Sequence, residues 1–135
     1  MKKLKLFVFV AAVALMFSAC SNDEDFSLEG KWNIVKMTSN FYSGTSATGT
    51  PIFSDVQTED LGWMQFNSDG TGIDSGDYTF TWTFKGDKPT ITDEVEGDMT
   101  LTLTTKDGSK MVGYYQETYT DENITAKIII EFAKV

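Results

Sequence analysis

The side chains that could do covalent or acid–base chemistry are few in kind. The chain has no His and no Arg, which removes imidazole acid–base work, Ser-His-Asp triads and arginine clamps on phosphate. No Gly-x-Ser-x-Gly occurs, so its serines lack both a base and a nucleophile elbow. Carboxylates are abundant, 20 in all. Adjacent pairs such as Glu59/Asp60, Asp93/Glu94 and Asp121/Glu122 have the chemistry of a glycosidase couple. In a strand, however, neighbours point to opposite faces, so none is a ready pair. The acidic run 69–77 (DGTGIDSGD) offers carboxylates and carbonyls to a hard cation, but it lacks the ligand spacing and closing Glu of an EF-hand loop. Asp and Gly are also what tight turns use. The expectation is a non-enzymatic protein with no catalytic residues, no metal and no cofactor.

The strongest spacing signal is aromatic. Tyr78, Phe80, Trp82 and Phe84 alternate with Thr79, Thr81 and Thr83. In a strand this places four rings on one face, either to fill a core or to line a pocket for an apolar ligand. The same period of two recurs in Met99-Thr-Leu101-Thr-Leu103 and in Ile124, Ala126, Ile128, Ile130 and Phe132, whereas no helical period is sustained. Asp-Gly and Gly-Asp punctuation at 69–70, 76–77, 86–87, 97–98 and 107–108 fits tight hairpins. The pattern predicts strands at 30–38, 61–67, 70–74, 77–85, 89–95, 98–105, 110–119 and 123–134, with one long connection over 39–60. It is an all-β reading: a small eight-stranded up-and-down antiparallel barrel spanning 28–135, with a two-sheet β-sandwich as the alternative.

The N-terminus carries an address. Lys2, Lys3 and Lys5 precede an unbroken apolar run over 6–17, short for a membrane span and right for a secretory signal. Phe17-Ser18-Ala19-Cys20 resembles a bacterial lipobox, with Phe17 where Leu is usual. That resemblance implies a signal peptide over 1–19, removed before a lipidated Cys20, which also explains one unpaired thiol in an exported chain. An acidic linker completes 20–27. Its Asp23, Glu24 and Asp25 resemble the tract that directs lipoproteins of Bacteroidetes to the cell surface; the alternative is a linker facing the periplasm. Loss of the signal leaves 8 lysines against 20 acids, a net of −12. Such a balance argues against nucleic acid as a partner.

Leu28-Glu29-Gly30-Lys31-Trp32, Phe66-Asn67-Ser68-Asp69-Gly70-Thr71 and the Ile/Phe-rich last strand together resemble the small lipocalin-like lipoproteins of Bacteroidetes. The resemblance implies that Gly30 lets the chain turn beneath the barrel and that Trp32 plugs its closed end. Lipocalins usually stack a late-strand Arg on that Trp. This chain has none, and the nearest substitutes are Lys127 and Lys134, which lack the planar guanidinium. The implied function is that of a lipoprotein anchored in the outer membrane and facing the exterior. Its barrel would bind a small apolar ligand between Tyr78, Phe80, Trp82 and Phe84. The alternative is a surface interaction protein with a filled barrel and a protein or glycan partner.

Cys20→Ser removes the only thiol. It is expected to abolish palmitate labelling and membrane partitioning together. Wild-type labelling and partitioning in this variant would sink the lipobox reading.

Overall fold

A computed structural model describes residues 26–135. The signal 1–19, Cys20 and the acidic tract 23–25 lie outside the described residues. The described chain is all-β, with strands β1 (Gly30–Ser43), β2 (Phe53–Gln57), β3 (Trp63–Phe66), β4 (Thr71–Asp74), β5 (Thr79–Lys85), β6 (Lys88–Asp93), β7 (Gly97–Thr100), β8 (Thr102–Lys106), β9 (Lys110–Tyr119) and β10 (Ile124–Lys134). They form one antiparallel sheet in the order β7-β6-β5-β4-β3-β1-β10-β9-β8, with β2 also on β1.

The two ends of that order are joined by the chain itself. β7 pairs with β6, and β8 pairs with β9. Between them, Leu101 N donates to Pro89 O at 3.0 Å and Leu103 N to Asp87 O at 2.9 Å, so the bent run stays bonded to the β6 side while it reaches β9. This bend curls the sheet into an antiparallel barrel. A second pair of strands shares a place as well: β3 covers the 30–33 part of one β1 edge and β2 the 37–41 part. Ten strands therefore make eight staves.

The connection expected over 39–60 is corrected. β1 runs on to Ser43 and β2 returns along it, leaving 44–52 and the short link after Gln57 outside the strands. The Ser, Thr and Gly content hid these strands, and every residue of β2 is exposed, so no apolar alternation marks it.

Cross-strand partners share a face, so the ladder shows which side chains look inward. Trp32 opposes Met64; Phe66 opposes Gly72, which opposes Phe80; Trp82 opposes Ile91, which opposes Met99; and Ile130 opposes Gly113, which opposes Leu103. A bulge at Val35 adds one residue to β1, which lets both Ile34 and Met37 face inward, opposite Phe132 and Ile130. The buried cluster of Leu28, Trp32, Phe66, Phe80, Ile91, Leu101, Leu103, Met111, Ile130 and Phe132 is this inner face.

Packing is densest at one end. Trp32 is fully buried, its indole N–H donates to Leu28 O at 2.9 Å, and Phe26 lies 6.0 Å from its ring. Lys134 Nζ sits 4.5 Å over that ring and donates to the carbonyls of Ser27 and Glu29. Lys134 thus occupies the cation position over Trp32, while Lys127 lies over Tyr114 at 4.4 Å. Burial holds the Lys134 ammonium below the ordinary lysine pKa, with the nearby Glu29 opposing that shift. Gly30 makes this closure possible: its φ is +115°, and a Cβ there would come within 2.9 Å of Lys134 Cε.

Trp32→Ala is expected to cost about 3–5 kcal/mol, in line with large core truncations. Lys134→Ala, which strands two carbonyl acceptors and uncovers the indole face, is expected to cost about 1–3 kcal/mol. Urea unfolding measures both, and a Trp32→Ala loss below about 1 kcal/mol would contradict a packed closed end.

Candidate functional site

The opposite end is open. There the interior widens into a cavity of about 540 Å³, within the range of small-molecule sites. Met64 of β3, Phe80 of β5, Ile91 of β6, Met99 of β7 and Tyr115 of β9 form its apolar walls. Phe80 and Ile91 are buried and make the floor. Phe80 lies flat against Gly72, where any Cβ would collide with its ring and with Gln65 O, so the missing side chain is what lets the ring swing across β4. Phe66 holds the same ring edge-on at 5.4 Å.

Above this layer the walls turn acidic. Asp74, Asp93 and Glu117 follow the inward register of their strands, because Asp74 opposes Met64, Asp93 opposes Gly97 and Glu117 opposes Ala126. Glu96 and Asp98 complete the rim, and no Lys among the described residues lines the cavity. Two of the inward acids also shape turns. Asp93 Oδ1 accepts from Val95 N at 2.6 Å and Glu96 N at 3.0 Å. Asp74 Oδ1 accepts from Gly76 N at 2.8 Å and Tyr78 N at 3.1 Å. Glu117 Oε1 accepts from the Tyr119 hydroxyl at 2.8 Å. Each carboxylate keeps its second oxygen without a hydrogen-bond partner among the described residues. The Asp93 turn bonds depress its pKa, so it is ionised across the physiological range. Tyr115 is shifted up by burial and by Glu117, and so presents a neutral hydroxyl.

The four aromatics of the 78–84 row separate along the barrel axis. Phe80 alone enters the cavity. Tyr78 precedes β5 at the open-end turn and is 69% exposed, so it fills no interior position. Trp82 and Phe84 pack towards the closed end. Trp82 Nε1 donates to Thr71 O at 2.9 Å and Asn67 O at 3.1 Å, and Phe84 meets Phe26 at 5.7 Å. Gly30 and Trp32 stand at the closed end, and Cys20 lies outside the described residues. No residue of 39–60 lines the cavity.

Sequence reasoning missed Met64, Ile91, Tyr115 and the three inward acids. Strand β9 held a usable signal: once Met111 and Gly113 are placed inward, alternation carries Tyr115 and Glu117 to the same face and Tyr114 outward. The acidic 69–77 run serves its turns, with Asp69 accepting from Thr71 N at 3.0 Å and Thr71 Oγ at 2.6 Å.

Comparison of the chain with protein-family models, curated proteins and solved structures gives no match. The geometry of the open end is therefore what any functional reading must use.

The turn carboxylates give a pH expectation. Asp69, Asp93 and Asp107 are each held below the ordinary aspartate pKa, chiefly by hydrogen bonds from Thr71, from Glu96 and Val95, and from Ser109 and Lys110. Their folded pKa is depressed, so their stabilisation is complete above the unfolded value and disappears as pH falls through the folded values. Urea midpoints should hold steady down to about pH 5 and drop below about pH 4, and Asp107→Asn should flatten part of that drop.

Proposed function

We propose that this protein is a lipoprotein held in the bacterial outer membrane by acyl chains on Cys20, with a lipocalin-like barrel that takes up a small ligand of apolar body at its open end. The observation that carries the ligand reading is the cavity floored by Phe80 and Ile91, continuous with the barrel interior and opening to solvent through a polar rim. A mostly apolar concavity with a few convergent polar groups is the usual form of a small-molecule site. The plugged end under Trp32 and Lys134 supports entry from one side only. The anchor reading rests on the 17–20 motif and the acidic tract behind it. With two or three acyl chains, each buried methylene contributing about 0.8 kcal/mol, attachment would be stable.

Strand β2 favours a second reading, that of an interaction protein. Phe53 and Val56 on β2 and the adjacent Ile52 are exposed, and the outer edge of β2 pairs with no strand among the described residues. A free, partly apolar edge is where another polypeptide can add a strand.

The test is a titration of the chain from residue 20, carrying Cys20→Ser, with Nile red, a neutral apolar dye. Binding with blue-shifted emission is expected. Phe80→Ala should weaken it by roughly tenfold, and Thr81→Ala on the outer face should leave it unchanged. No emission change in the wild-type barrel would overturn the ligand reading and leave the β2 edge as the functional surface.

A further inference from the structure

The charge distribution around the cavity restricts the ligand more than its shape does. Among the described residues, five carboxylates line it and no cation does. Three of them, Asp74, Asp93 and Glu117, reach the mouth from the inward register of β4, β6 and β9, so they line the half of the rim that runs from β9 through β6 to β4, with Asp74 and Glu117 facing each other across it. The one ion pair among the described residues, Lys36 with Glu131 at 3.8 Å, lies elsewhere, on β1 and β10. An anionic ligand such as a fatty acid would bring its carboxylate beside like charges with nothing to offset them. A neutral ligand would use only the floor.

We infer that the site takes amphipathic cations: organic ammonium compounds whose apolar body rests on Phe80, Ile91 and Met99 while the charged group sits among Asp74, Asp93 and Glu117. This inference rests on reading the barrel mouth as a ligand site, and it names the chemical class that fits there. Three features act in the same direction. The free oxygen of each inward carboxylate points to no protein donor among the described residues, so an ammonium displaces water and no protein hydrogen bond. Tyr115 puts an aromatic side chain in the cavity wall, a residue type that attracts organic cations. The chain's net −12 after signal removal draws cations towards the mouth and repels anions.

The experiment compares three probes of equal chain length: decyltrimethylammonium, decanol and decanoate, each below its micelle concentration. The protein is the chain from residue 20 with Cys20→Ser and ¹³C-methyl methionine. Every strand and the buried cluster lie within this span. Met64 and Met99 line the cavity, while Met37 and Met111 do not, so their methyl signals report where each probe binds and whether the fold is intact. The cation is expected to shift Met64 and Met99 and to bind about tenfold or more tightly than decanoate. Added salt should weaken the cation and spare decanol. Asp74→Asn combined with Glu117→Gln keeps both acceptors for the neighbouring turn and Tyr119 donors. It should bring the cation down to the affinity of decanol while Met37 and Met111 stay in place. Equal binding of all three probes at Met64 and Met99, or a preference for decanoate, overturns the cation inference and leaves the apolar-ligand reading standing. Absence of any Met64 or Met99 shift with every probe overturns both.

Discussion

Two backbone hydrogen bonds, from Leu101 N to Pro89 O and from Leu103 N to Asp87 O, decide whether this chain is a sheet or a container. Without them β7 would end the sheet beside β6, and β8 would end it beside β9, each with an open edge. With them, one bent run joins the two ends, and the faces carrying Phe80, Ile91, Leu103, Met111 and Ile130 become a common interior. Closure removes edges that would otherwise template pairing with other chains. It also gives the inward alternation of every strand a shared meaning, because an inward residue on β4 now faces one on β9.

The interior is used differently at its two ends. At the closed end, where β1 begins and β10 finishes, rings and aliphatics fill the space, and Trp32 is covered on its last face by the Lys134 ammonium. A lysine succeeds here without a planar guanidinium because its Nζ donates to the Ser27 and Glu29 carbonyls, which fix it over the indole. The lysine stem also needs the space left by Gly30. At the open end, the inward positions become Asp74, Asp93 and Glu117. Carboxylates are stable there because the mouth opens to solvent and because Asp74 and Asp93 also hold the backbone of the hairpin turns.

The turn acids therefore have two consequences. Their Oδ1 atoms accept from backbone N–H groups and shape the β4–β5 and β6–β7 turns. Their second oxygens, together with Glu117, give the cavity a negative mouth over an apolar floor. The same residues that end the strands thus set the electrostatics of the opening, which links hairpin formation to the chemistry the barrel can admit.

Period-two alternation, Gly-Asp punctuation and the absence of helical periodicity were enough to specify short antiparallel strands in tight hairpins, since each follows from how a single strand divides its faces between water and core. They left barrel and sandwich both open, and only the bonds from Leu101 and Leu103 to the β6 side decide for the barrel. The missing His and Arg likewise limited the chemistry before any contact was known. Strand β2 stayed hidden because a strand exposed along its whole length carries no apolar pattern. The 78–84 row read as one aromatic wall, yet Tyr78, Phe80 and Trp82 have three different surroundings, because alternation fixes a face but not a depth along the barrel axis. The acidic mouth was likewise beyond local reading. Asp74, Asp93 and Glu117 come from strands far apart in the chain, and only ring closure and cross-strand register bring them to one opening, along the half of its rim between β9 and β4.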